Sequence, residues 1–251
     1  MRDRAAIKAE ARQIIRTARV SPLVTTAIVI VICMVLDRVT DLVQYGSPFY
    51  SWSFQNDYLQ VILSGNSADL ESLLLSIPKT ASKSFFFTTL VSLFTLVLNG
   101  GYYVYCMGIR QGLEMPYATL ADGLAVAGKL IWCWVQISVK VFLWSLLFVI
   151  PGIIASYRYS FAYYNILTDS SLSAGGAIRL SCEQTRGIKG ELFVLDLSFI
   201  GWNILSSITM GILDIWVTPY QVVSQLAYFE DAQRRLGRAP YGGSSSVSWE
   251  M

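Results

Sequence analysis

The sequence predicts an all-α fold, a polytopic membrane bundle of about six transmembrane helices preceded by an amphipathic surface helix. Three observations carry this. Hydrophobic residues make up 54% of the 251 positions and charged residues only 14%, against about a quarter charged in soluble domains. The apolar residues gather in long runs. Lysine and arginine concentrate between alternate runs, as loops on one side of a membrane require.

The first element, "MRDRAAIKAEARQIIRTARV", reads as a helix. Arg4, Lys8, Arg12 and Arg16 recur every four residues as one basic stripe, opposite Ile7, Ala11, Ile14, Ile15 and Ala18. Such a helix lies on a membrane surface with its cations on anionic headgroups; the plainer reading is a solvated helix that only sets topology. The sequence assigns 1–21 to this basic cytoplasmic helix, 22–236 to a six-span membrane domain and 237–251 to a disordered tail.

Pro22 opens the first span, which continues past Asp37 and Arg38 to about Val43; no small-x-small cleavage site follows it. Residues 44–83 form an aromatic-rich extracytoplasmic loop with a short interfacial helix over 69–77. The second span begins near Ser84 and passes through Asn99-Gly100-Gly101, where paired glycines mark a kink or a close helix contact. The third covers about 130–150, the fourth about 151–167, the fifth about 192–213 and the sixth about 216–229.

Between the third and fourth spans stands "FVIPGIIASYRYSFAYY". Pro151 lacks an N–H donor, but the first helical turn has no use for it. Gly152 permits a tight reversal. The segment therefore reads as a hairpin turn with Pro151 starting the return helix, and Pro219 is expected to start the sixth span in the same way.

Six spans put both termini on one side. That side carries the N-terminal basic residues together with Arg110, Lys129, Arg179, Arg186, Lys189, Arg234, Arg235 and Arg238. The other carries Arg38, Lys79 and Lys83 among Asp37, Asp41, Asp57, Asp69, Glu71 and Asp214. The positive-inside rule then places both termini in the cytoplasm.

Lys140, Arg158 and Asp196 fall within apolar segments. At about 1.5 Å of rise per residue, Lys140 and Asp196 differ in depth by under about 10 Å. One reading is a Lys140–Asp196 ion pair with Arg158 snorkelling outward; the other is a polar cavity that binds an anionic group. The chain has no histidine, which removes the commonest general base and metal ligand. Cys33, Cys106, Cys133 and Cys182 form no C-x-x-C pair and read as small buried hydrophobes. No catalytic residue, metal or cofactor is expected.

The runs "LWSLLFVIPGIIASYRYSFAYYNILTD", "LSAGGAIRLSCEQTRGIKGELFVLDLSFIGW" and "TMGILDIWVTPYQVVSQLAYFED" resemble a family of bacterial integral membrane proteins known as "domain of unknown function 975". The chain departs from it at Gly187-Ile188-Lys189-Gly190, where relatives often carry G-H-K. The resemblance implies a bacterial membrane location and no established activity. The leading expectation is a non-enzymatic protein of the cytoplasmic membrane that binds or moves a lipid or small amphiphile. The alternative is an accessory or scaffold subunit of another membrane protein; an embedded enzyme comes third. Membrane lipids and, on the alternative, a membrane protein are the expected partners. No nucleic acid is expected, and the sequence leaves the oligomeric state open.

Overall fold

The computed structural model describes residues 4–45, 84–209 and 211–238. The predicted loop helix at 69–77, the loop around it from residue 46, and the predicted tail from residue 239 lie outside them. Every regular element among the described residues is helical: α1 (Arg4–Thr17), α2 (Pro22–Tyr45), α3 (Ser84–Arg110), a 3-10 helix (Tyr117–Val126), α4 (Ala127–Leu147), α5 (Val149–Arg158), α6 (Ala162–Thr168), α7 (Ala174–Gln184), α8 (Lys189–Leu197), α9 (Ile200–Ile208) and α10 (Asp214–Arg235). Among the described residues, four stretches are long and apolar enough to cross a membrane: Pro22–Val43, Phe86–Arg110, Tyr117–Leu147 and Lys189–Ile208. The predicted fourth and sixth spans fall on α5 with α6 and on α10, outside these four.

The chain divides into two compact units, one of Met1–Val29 with Leu96–Met251 and one of Ile30–Thr95. In the smaller unit, Val31, Val35, Phe86 and Leu90 stand exposed, as side chains facing hydrocarbon rather than water do. Thr40 returns its hydroxyl proton to the Leu36 carbonyl at 2.8 Å, which lets a polar side chain stay in an apolar helix.

The larger unit is organised around α10. Val217, Val222, Val223, Leu226, Ala227, Phe229 and Ala232 are buried there, on several faces of the helix rather than one stripe. Burial on several faces marks a helix that packs inside a structure rather than on its surface. Phe229 meets Phe161 at 5.5 Å and Tyr164 at 5.4 Å between ring centroids, and Tyr164 meets Tyr103 edge-on at 5.3 Å. These aromatics join α3 and α10 to the segment carrying α6.

At one end of α3, Arg110 is almost wholly enclosed, with its side chain 2% exposed. Its guanidinium forks the Glu230 carboxylate, Nε to Oε1 at 2.9 Å and Nη2 to Oε2 at 2.7 Å. Nη1 donates to the Val223 carbonyl at 3.1 Å, and Nη2 also reaches Glu10 at 3.1 Å. One side chain thus ties α3 to two points of α10 and to α1. Ile7 and Ala11 of α1 are buried, so part of the predicted apolar face covers protein.

Three expectations change in detail. The α4–α5 reversal is made by Phe148, whose backbone is extended at φ −162 and ψ 153. Pro151 is the third residue of α5, within the turn that needs no donor. Gly152 serves close packing instead of the turn, because a Cβ there would lie 2.1 Å from Ser145 Oγ. Pro219 stands inside α10 and removes the hydrogen bond to the Ile215 carbonyl; the chain reverses before α10, at Gly211 with φ 83. The polar stretch after α6 holds a further helix, α7, capped by Ser173 Oγ accepting from Gly176 N–H at 3.1 Å.

The paired glycines of the second span mark a close contact. α3 runs on through them, and a Cβ on Gly101 would lie 2.0 Å from the Leu120 carbonyl oxygen. Gly101→Ala is expected to destabilise the protein by about 1–3 kcal/mol, because backbone rather than a flexible side chain must move. Gly128→Ala meets nothing within 4 Å and is expected to stabilise by about 0.5–1 kcal/mol. Thermal unfolding of the detergent-purified variants checks the opposite signs; two equal losses would contradict the packing.

Candidate functional site

Two of the helical paths are broken, and side chains just ahead of the two breaks meet. α5 ends at Arg158 and α6 begins at Ala162. A break in apolar surroundings frees backbone groups that need new partners. Here α7 supplies them. Ser181 Oγ donates to the Arg158 carbonyl at 3.0 Å and accepts from Phe161 N–H at 3.2 Å. Thr185 Oγ1 lies 3.2 Å from the same Arg158 carbonyl. Beside them, the buried amides of Asn165 and Gln184 exchange two hydrogen bonds, both at 2.9 Å, and lock α6 to α7.

The second break lies at Ser198 and Phe199, between α8 and α9. Tyr157 stands just ahead of the first break and Asp196 just ahead of the second. The Tyr157 hydroxyl donates to Asp196 Oδ2 at 3.0 Å. From α10, the Gln225 amide donates to Oδ1 at 2.9 Å and the Gln221 amide to the same oxygen at 3.4 Å. Residues 221 and 225 are one turn apart, so both amides project from one face. The Gln225 carbonyl oxygen takes the Tyr164 hydroxyl at 3.4 Å. Tyr157 packs edge-on against Phe193 with centroids 5.9 Å apart. The result is a half-buried carboxylate held by neutral donors from two further helices.

The three intramembrane charges singled out in the sequence do not converge. Lys140 Nζ lies 5.9 Å from the centre of the Tyr159 ring. Arg158 turns outward, and its Nε donates to Cys182 Sγ at 3.2 Å. Among the described residues, no ion pair joins either cation to Asp196. The expected Lys140–Asp196 pair matched the two residues in depth, but depth says nothing about rotation around the helix axis. A search for charges also passes over Tyr157, Gln221 and Gln225. Their signal was the i, i+4 glutamine spacing inside an apolar run.

The basic stripe of α1 is divided in use. Lys8 Nζ lies 4.4 Å from the centre of the Phe199 ring, and the Arg12 guanidinium 5.4 Å from that of Tyr220. Those two rings pack edge to face at 5.0 Å. Each cation–ring contact is worth about 0.5–1 kcal/mol at an exposed site. Burial, together with the like charges of Arg12 and Arg4, lowers the Lys8 ammonium from its ordinary value. Arg4 and Arg16 remain exposed.

All four cysteines are free. Among the described residues, no group of three or more acidic, cysteine or histidine side chains forms a metal site.

This architecture defines an all-helical, membrane-associated protein with a single carboxylate held where two interrupted helices meet a buried one. The chain belongs to the family described as "Protein of unknown function (DUF975)", whose model matches residues 1–235. No curated protein and no solved structure matches it.

Ser181→Ala leaves Phe161 N–H without its partner and removes a donor from the Arg158 carbonyl. The expected loss is about 1–3 kcal/mol, with faster hydrogen exchange over residues 158–164. Unchanged exchange there would contradict the role of α7 in supporting the break.

Proposed function

We propose that this chain is a six-span protein of the bacterial cytoplasmic membrane, with both termini cytoplasmic, that binds or moves a lipid or small amphiphile without catalysing a reaction. The six spans are α2, α3, the 3-10 helix with α4, α5 with α6, α8 with α9, and α10. The side-to-side asymmetry of lysine and arginine supports the orientation. Arg4 and Arg16, exposed cations of the α1 stripe, then meet anionic headgroups at the inner surface.

The observation that carries the reading is the Asp196 cluster. Helices interrupted inside an apolar bundle expose backbone and polar side chains at depth, an arrangement that membrane transporters use to bind their cargo. Phe193, Val194 and Leu197 stand exposed on the same helix as Asp196, which sets apolar surface beside the polar group, as an amphiphile requires. No histidine is available as an acid or base, and the cluster has no nucleophile paired with one.

Extraction into native lipid discs followed by native mass spectrometry tests this. Wild type is expected to retain a stoichiometric lipid or amphiphile. Asp196→Asn is expected to lose it while Lys140→Ala keeps it. A stoichiometric protein partner retained by both variants, with no small ligand in wild type, would replace the proposal with the accessory-subunit reading.

A further inference from the structure

We infer that Asp196 anchors the ammonium headgroup of a cationic amphiphile. The inference rests on the ligand-binding reading above and gives that ligand a charge. It reverses the sign expected from the sequence, where Lys140 and Arg158 made the site look suited to an anion.

The first argument is charge. Every hydrogen bond to the Asp196 carboxylate comes from a neutral donor: the Tyr157 hydroxyl and the amides of Gln221 and Gln225. Such donors fill acceptor positions on the carboxylate but bring no positive charge to it. No cation among the described residues pairs with it. The two cations nearest in the sequence argument are turned to Tyr159 and Cys182. An uncompensated carboxylate in apolar surroundings attracts a positive partner and repels a negative one.

The second argument is valence. A carboxylate offers about four acceptor positions. Oδ1 takes both glutamine amides, whereas Oδ2 takes only Tyr157. An acceptor position therefore remains on Oδ2, and an ammonium N–H can fill it. Asp196, Tyr157, Gln221 and Gln225 are all only partly buried, so the cluster is not sealed off from a ligand.

The third argument is the surroundings. The Tyr157 and Phe193 rings, 5.9 Å apart, lie beside the carboxylate, and aromatic faces favour organic cations. Phe193 and Leu197 are one helical turn apart and exposed, a track for an alkyl tail. An inorganic ion fits less well. It needs several converging oxygens, and here both glutamines present N–H groups to the carboxylate.

Titration calorimetry in an uncharged maltoside detergent tests the assignment with three ligands of one tail length: dodecylammonium, dodecanol and dodecyl sulfate. Wild type is expected to bind dodecylammonium about tenfold or more tighter than dodecanol, the difference of one charge-assisted hydrogen bond, and dodecyl sulfate most weakly. Asp196→Asn is expected to bring the ammonium down to the alcohol's affinity. The headgroup ranking in wild type stands as a test even where that variant fails to fold. Equal affinity for ammonium and alcohol would overturn the charge assignment while sparing the amphiphile reading. No binding of any of the three would overturn both. An Asp196-dependent heat from sodium chloride alone would overturn the ammonium in favour of an inorganic cation.

Discussion

A buried guanidinium sets the frame on which the larger unit is built. Arg110 ends α3 and is 2% exposed, and its fork on Glu230, itself only 9% exposed, joins α3 to α10. Removing one partner of such a pair leaves the other charge buried and alone, at a cost of about 3–5 kcal/mol. The bond to the Val223 carbonyl adds a second point on the same helix, two turns away, so the contact also limits rotation of α10. The Glu10 contact is different in kind, because that carboxylate side chain is 38% exposed and water weakens the attraction. It holds α1 in register, while burial of Ile7 and Ala11 supplies the adhesion.

With α10 held, the polar cluster has a fixed wall. Gln221 and Gln225 lie on the same helix as Glu230, and their amides hold Asp196 from one side while Tyr157 holds it from the other. The break in α5–α6 persists because its freed polar groups find partners in Ser181 and Thr185. At the break in α8–α9, Phe199 is packed by Tyr220 and covered by Lys8. The carboxylate is therefore placed by three separate devices: a charge clamp, a hydroxyl-supported break and an aromatic stack.

The sequence made much of this legible. The apolar runs, with Pro22 and Pro151 at helix starts, located α1 to α5 closely, and three quoted segments pointed to the family that the chain joins. What stayed hidden was tertiary in origin. Nothing at Tyr159–Phe161 or Ser198–Phe199 breaks a helix locally; the first break is supported by α7, more than twenty residues on. The burial of α10 was also hidden, since an apolar helix looks alike whether lipid or protein surrounds it. Arg110 read as an ordinary charge at a span end, because its partner Glu230 lies 120 residues away. Lys140 and Asp196 failed to pair because matching depth leaves helix rotation free.

The most direct measurement is a double-mutant cycle on Arg110→Gln and Glu230→Gln, read by unfolding of the purified protein in mild detergent. If the buried fork organises the unit, either single change lowers stability by several kcal/mol and the double change costs little more than one of them, with a coupling above about 1.5 kcal/mol. Additive losses would mean that the two charges act independently, and the clamp would no longer explain how α10 and the Asp196 cluster are held.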